Sequence, residues 1–297
     1  MDTAERRELT TAEKLGYPGD ARLLVINADD FGMCHDENEA TIAGLTSGLF
    51  TSSTILVTCP WFEEAAEFAR NNPTIDLGVH LTLTSEWPRY KWGPVLGKEA
   101  VPSLTDSHGY LWPDVARVFE HDRLEEAEAE LRAQIEKALA AGIDVTHLDS
   151  HMGPLHLHPD YHRIYLCLAR DYRLPIRLTP RRVMRAIGMG DILEELDRIG
   201  ILYPDHFVAH GPESPDRTES HWTSLIESLH PGITEIYCHP ALAREELRAC
   251  AHDAEQREAD FRFFTSDKAR QTLSRAGVRL LGYRQMRDAM RSGTLVH

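Results

Sequence analysis

Short apolar or β-branched runs alternate with longer amphipathic stretches along nearly the whole chain, and this alternation restricts the fold more than any single motif. Strands separated by helices must pair in parallel, because a parallel pair needs a crossover of a dozen or more residues. Runs at 23–28, 53–57, 77–81, 145–148, 175–178, 206–209, 235–238 and 278–281 read as strands. The clearest helix lies at about 123–141, where Leu124, Ala127, Leu131, Ile135 and Leu139 recur three or four apart and form one apolar face. Asp122 stands where it can cap that helix, and Gly142 where it can close it. Further helices are expected at 37–48, 62–71, 158–171, 182–199, 217–229, 256–276 and 283–291.

Seven or eight such units predict an α/β chain rolled into a closed or nearly closed barrel of parallel strands, with the active site where strands meet the following loops. A length of 297 residues suits one such domain over 1–297, with its core at about 20–285. An open doubly wound sheet has the same element order and stands as the alternative. One segment, 85–122, is too long for an ordinary βα loop and carries Trp87, Tyr90, Trp92, Tyr110 and Trp112. Those rings suit stacking on sugars. They equally suit a small aromatic cluster that folds the inserted loop back on the barrel.

Charge narrows the partners. The formal net charge is −15 and no Lys/Arg cluster dominates, which argues against nucleic acid and anionic membranes and favours a neutral or cationic small substrate. No apolar run approaches the roughly 18 residues needed to span a bilayer. The polar start lacks an apolar signal core, so a cytoplasmic location is expected. Five scattered cysteines, none in a CxxC, read as reduced thiols. Acidic barrels of this size often pair, so a homodimer is also an expectation.

The chemistry-bearing residues gather at expected strand ends. Asp29 and Asp30 close a hydrophobic strand in NADDFG, where one carboxylate could hold a cation and the other face a water; the bland reading is a turn or helix cap. His80 interrupts LGVHLTL and by itself reads as a satisfied core residue. His147, Asp149 and His151 share one face of a continuing strand, in a pattern that suits a ligand with a supporting carboxylate. His239 ends TEIYCHP and could serve a leaving amine. His210, in VAHGP, could contact substrate or stabilise a turn. Arg177, Arg181 and Arg182 are the one basic group near a strand end.

In this order and spacing, NADDFG, GVHLTLT, THLDSHMG and EIYCHP resemble the YdjC-like carbohydrate deacetylases, the group that includes chitooligosaccharide and hopanoid-associated deacetylases. The resemblance implies an irregular TIM-like (β/α) barrel and hydrolysis of an N-acetyl group from an amino sugar or oligosaccharide, with release of acetate. Carried over motif by motif, it implies Asp30, His80 and His151 as ligands of one divalent metal ion, Asp29 as base, and His239 as acid or transition-state stabiliser. One carboxylate with two imidazoles suits Zn²⁺, whereas the family is often described with Mg²⁺. Trp87, Trp92, Arg177 and His210 are the candidates for holding the N-acetylated carbohydrate.

The chain also departs from the family pattern. Where other members continue as DSHxHxH, it reads DSHMGPLHLHPDY, with Gly153 at an imidazole position and His156 and His158 further on. A metal-dependent amidase or phosphoesterase acting on another small substrate, and a non-catalytic sugar-binding protein, are the competing readings.

Overall fold

The computed structural model describes residues 9–296 apart from 48 and 187, and no side chain at 197. The polar start at 1–8, the expected helix end at Gly48 and position 187 within the expected helix 182–199 lie outside the described residues. Seven strands form one sheet: β1 Arg22–Phe31, β2 Ser52–Ile55, β3 Leu77–Leu81, β4 Val145–Ser150, β5 His206–Val208, β6 Gly232–Cys238 and β7 Arg279–Leu280. All pair in parallel. The hydrogen-bonded order is β4-β3-β2-β1-β6-β5, with β7 beside β1.

β1 is the axis of the sheet. It pairs with β6 from Arg22 to Ala28, and its other edge is divided between β7 at Leu23 and Leu24 and β2 from Asn27 to Phe31. Buried from Leu23 onward, it explains the uninterrupted apolar run LLVI, which a strand covered on both faces requires. At Gly78 on β3 the absence of a side chain is structural. A Cβ there would lie 2.7 Å from the His147 ring and from its carbonyl oxygen.

The sheet curls without closing into a ring among the described residues. The Arg177 guanidinium, from the segment beside β4, reaches Asp29 on β1 and Glu235 on β6. In a flat sheet at about 4.8 Å per strand, β4 alone would stand about 14 Å from β1. The expected strand at 175–178 is reduced to one bridge, Leu148 to Ile176. Pro175 and Pro180 bracket that segment and lack the N–H groups a longer ladder needs. The expected closed or nearly closed barrel of seven or eight parallel strands is thus met in part, as a curled, partly closed parallel sheet of seven.

Several helices also differ from expectation. The stretch 182–199 divides into Arg181–Ala186 and Gly190–Ile199, with left-handed Gly188 between them. The stretch 256–276 divides into Ala254–Phe264 and Asp267–Ala276, the second capped by Ser266, whose hydroxyl accepts from the Ala269 N–H. Arg123, not Asp122, occupies the N-cap of Leu124–Ala140, and Asp122 instead ends the helix Val115–His121. Gly142 does close the long helix, at φ +82°.

The insertion at 85–122 is folded onto the body. Thr84 bridges Trp112, the Trp92 indole donates to the Thr84 carbonyl at 2.8 Å, and the Trp112 indole donates to Ser103 at 2.8 Å. No described helix is long and apolar enough to cross a membrane. All five cysteines are free.

Candidate metal centre and active site

Because every strand runs the same way, the residues at the C-terminal ends of β1, β3, β4 and β6 open onto one mouth. A cavity of about 1080 Å³ occupies it, lined among others by Asp29, Asp30, His80, His151 and His239. Strict alternation along β1 would aim Asp29 and Asp30 at opposite faces. Asp30 instead adopts left-handed backbone at φ +68°, inside an irregularity of the β1–β2 pairing between Ala28 and Phe31. That turn, with Gly32 at φ +97° after it, presents both carboxylates to the cavity. A non-glycine residue there carries strain on the order of 1 kcal/mol, which the surrounding contacts must offset.

Asp30 is the point of convergence. Its Oδ1 lies 3.3 Å from His80 Nε2 and 3.2 Å from His151 Nδ1. Donor atoms bonded at roughly 2.1 Å around a tetrahedral ion stand about 3.4 Å apart, so both imidazole nitrogens lie about one coordination edge from Asp30 Oδ1, and the three ligand atoms all fall within 4.8 Å of one another. Asp30 Oδ1 is buried and has no hydrogen-bond partner of its own. The residues fit a divalent cation.

Each imidazole is turned toward that point by a carboxylate behind it. His80 and Asp149 are register partners across β3 and β4, and Asp149 Oδ1 lies 2.5 Å from His80 Nδ1, which leaves Nε2 facing Asp30. His151 is held by Glu86, whose Oε2 lies 3.0 Å from Nε2, so that Nδ1 faces inward. Burial lowers the basicity of both rings. At His80 Asp149 leads the opposing carboxylates and holds the ring up at about 9, and at His151 Glu86 and Asp30 hold it well above the ordinary histidine value. A field that draws protons onto two buried imidazoles is one that favours a cation.

Asp29 stands beside this cluster and is gripped by Arg177, whose two terminal nitrogens lie 2.7 and 2.8 Å from its oxygens. Burial raises the Asp29 carboxyl, but the guanidinium overrides it and holds the group down at about 2. Arg177 also meets Asp149 at 2.9 Å and Glu235 at 2.9 Å. A candidate for holding substrate, it lines the cavity and is engaged by three carboxylates.

The remaining candidates separate by position. His239, a third exposed, has Nε2 3.8 Å from Asp30 Oδ2; burial holds its basicity below the ordinary value. His210 is exposed on the cavity wall, edge-on to His221. Trp87 lines the cavity with its indole N–H unpaired. Trp92 is buried behind His151, its ring 6.0 Å away, and forms no part of the cavity wall. His147 stacks on Tyr283 at 3.9 Å, deeper in the sheet.

Three contributors escaped the reading of the sequence. Glu86 sits in the insertion, where no spacing rule ties it to His151. Arg257, on the helix Ala254–Phe264, donates to Asp30 Oδ2 at 3.1 Å and to Glu37 at 2.7 Å. Glu37 lies in the first turn of the helix His35–Ser47 and is fully buried, a placement that its acidic helix start did not announce.

Residues 23–275 match the family described as YdjC-like protein. A carbohydrate deacetylase of Thermus thermophilus is 34% identical over 94% of this chain and 98% of its own length. One from Brevibacillus brevis is 31% identical over 89% and 99%. A solved structure from Enterococcus faecalis, described as a putative cellobiose-phosphate cleavage protein, superposes with a TM-score of 0.78 at 31% identity, covering 90% of this chain and 99% of that one. With its four motifs gathered at one mouth and its length matched almost throughout, the chain belongs to the YdjC-like family.

Proposed function

We propose that the protein is a metal-dependent carbohydrate deacetylase that hydrolyses the acetamide of an N-acetylated sugar to acetate and a free amine. The observation that carries this reading is the convergence of ligand atoms of Asp30, His80 and His151 within 4.8 Å of one another, with an anchored second carboxylate, Asp29, beside them. The curated relatives named carbohydrate deacetylases support the substrate class.

A divalent cation held by Asp30, His80 and His151 would polarise the acetamide carbonyl and lower the pKa of a water. The donor set of one carboxylate and two imidazoles favours Zn²⁺ over Mg²⁺. Asp29 faces the same cavity ionised, since Arg177 keeps its carboxyl near 2, so it is in the form that accepts a proton from the attacking water. Arg177 keeps that carboxylate from swinging. Burial holds the His239 imidazole below its ordinary basicity, which suits an N–H hydrogen bond to the substrate better than a store of positive charge. The water proton taken by Asp29 ends on the departing amine nitrogen.

A phosphoesterase reading loses support on two counts. The two groups of potential ligands among the described residues share His80 and so overlap, and phosphoester chemistry favours two metal ions. Arg177 and Arg257 are both engaged by carboxylates and are not free to clamp phosphate. The test is acetate release from a panel of N-acetylated mono- and oligosaccharides, with and without a chelator. Chelator-sensitive release is expected; no acetate from any sugar, or release indifferent to metal removal, overturns the reading.

A further inference from the structure

The turn after His151 leaves a lobe in the cavity wall. Gly153 lines the cavity at φ +78°, and a Cβ built on it would meet nothing within 4 Å. Three residues on, in the short helix Pro154–Leu157, His156 lines the same cavity. It is only 8% exposed, and neither ring nitrogen has a hydrogen-bond partner. Its nearest aromatic neighbour, Tyr165, packs edge-on with ring centres 5.5 Å apart and offers its hydroxyl elsewhere, to the Leu148 carbonyl.

A buried imidazole with both nitrogens unpaired is costly to the free protein and persists where something completes it. A neutral imidazole presents one donor and one acceptor. A sugar hydroxyl is also both donor and acceptor, and the neighbours of His156 on the same segment of wall, Met152 and Leu157, are apolar and offer neither.

We propose that His156 is a substrate-binding residue, whose imidazole exchanges a hydrogen bond with a hydroxyl of the bound sugar in the lobe left open at Gly153. The inference rests on the deacetylase reading and adds to it a substrate-binding group at the cavity wall. It concerns ground-state and transition-state binding alike, so it acts on KM more than on kcat.

The test uses the metal-loaded full chain with N-acetylglucosamine and its β-1,4-linked oligomers as probes. His156→Phe keeps the ring packing against Tyr165 and removes both nitrogens; His156→Gln keeps a donor and an acceptor. For the best of these sugars, His156→Phe is expected to raise KM by about 5- to 100-fold with kcat within about threefold, and His156→Gln to recover most of the loss. The melting temperature of His156→Phe should be unchanged or higher, since the free protein loses an unpaired buried polar group. An unchanged KM, or a raised KM accompanied by a lowered melting temperature, overturns the assignment while leaving the deacetylase reading intact. A wild-type protein that releases acetate neither from these sugars nor from any other N-acetylated sugar of the wider panel overturns both.

Discussion

Arg177 donates to both carboxylate oxygens of Asp29, at 2.7 and 2.8 Å, from a position beside β4 that only the curl of the sheet brings against β1. The planar fork fixes the carboxylate's orientation as well as its charge, which a point-charge ammonium does not do. Arg177→Lys should therefore keep the cation and the fold, yet lower kcat by about 10- to 100-fold, because a base misaligned by even 1 Å forfeits that much. Steady-state kinetics beside metal content would check this. A lysine variant with full kcat would show that Asp29 needs no bidentate grip.

Asp29 and Asp30 are adjacent but should fail in different ways. Asp30 Oδ1 stands between two ring nitrogens, whereas Asp29 is turned to Arg177 and to the cavity. Asp29→Asn should retain about one divalent ion per chain and lose activity by about 10²–10⁴. Asp30→Asn should lose the ion itself, read by elemental analysis after dialysis. If the two variants lost metal equally, the division of labour between the carboxylates would be wrong.

This division was only half legible in the sequence. Strand β1 and the Asp pair could be read because an apolar run doubly covered by neighbours ends abruptly in carboxylates. The left-handed turn at Asp30 could not, since alternation argues for opposite faces and nothing in DDF announces φ +68°. His80, inside β3, by itself reads as a core residue, and only the motif resemblance joins it to His151, just past β4. Glu86 and Arg257 were not found, because their roles depend on packing between distant segments, Arg257 lying 227 residues from Asp30. The incomplete ring could not be read either, since the run LPIRL suggests a strand where only a single bridge, Leu148 to Ile176, forms.

Glu86 provides a direct test of the metal centre that leaves its ligands untouched. Burial pushes the Glu86 carboxyl up, and the charge and hydrogen bond of His151 bring it below the usual carboxylate value. Replacing it by the isosteric amide, Glu86→Gln, removes the charge that orients and enriches the ring. Metal affinity should fall by about 10- to 100-fold, measured by competition with a coloured chelator. Unchanged affinity would mean that His151 does not use Nδ1 toward the ion.

Asp76 sits at the opposite end of the sheet, just before β3, and carries a pH dependence of stability that is separate from the active site. It accepts from Thr146 Oγ1 and from the Arg284 N–H, the latter at 2.7 Å. Burial nevertheless prevails and raises its carboxyl from 3.8 to about 6. The folded state thus binds this proton more tightly than the unfolded chain does. Its contribution is fully present below the unfolded value and is lost as pH rises through the folded one, over a range of about 4 to 6. Two pH units correspond to at most about 3 kcal/mol. Urea unfolding across this range, for wild type and Asp76→Asn, should show a stability difference that moves against the wild type by up to that amount as pH rises. A difference that stays flat from about pH 4 to 7 would mean the Asp76 carboxyl is ionised in the folded protein throughout.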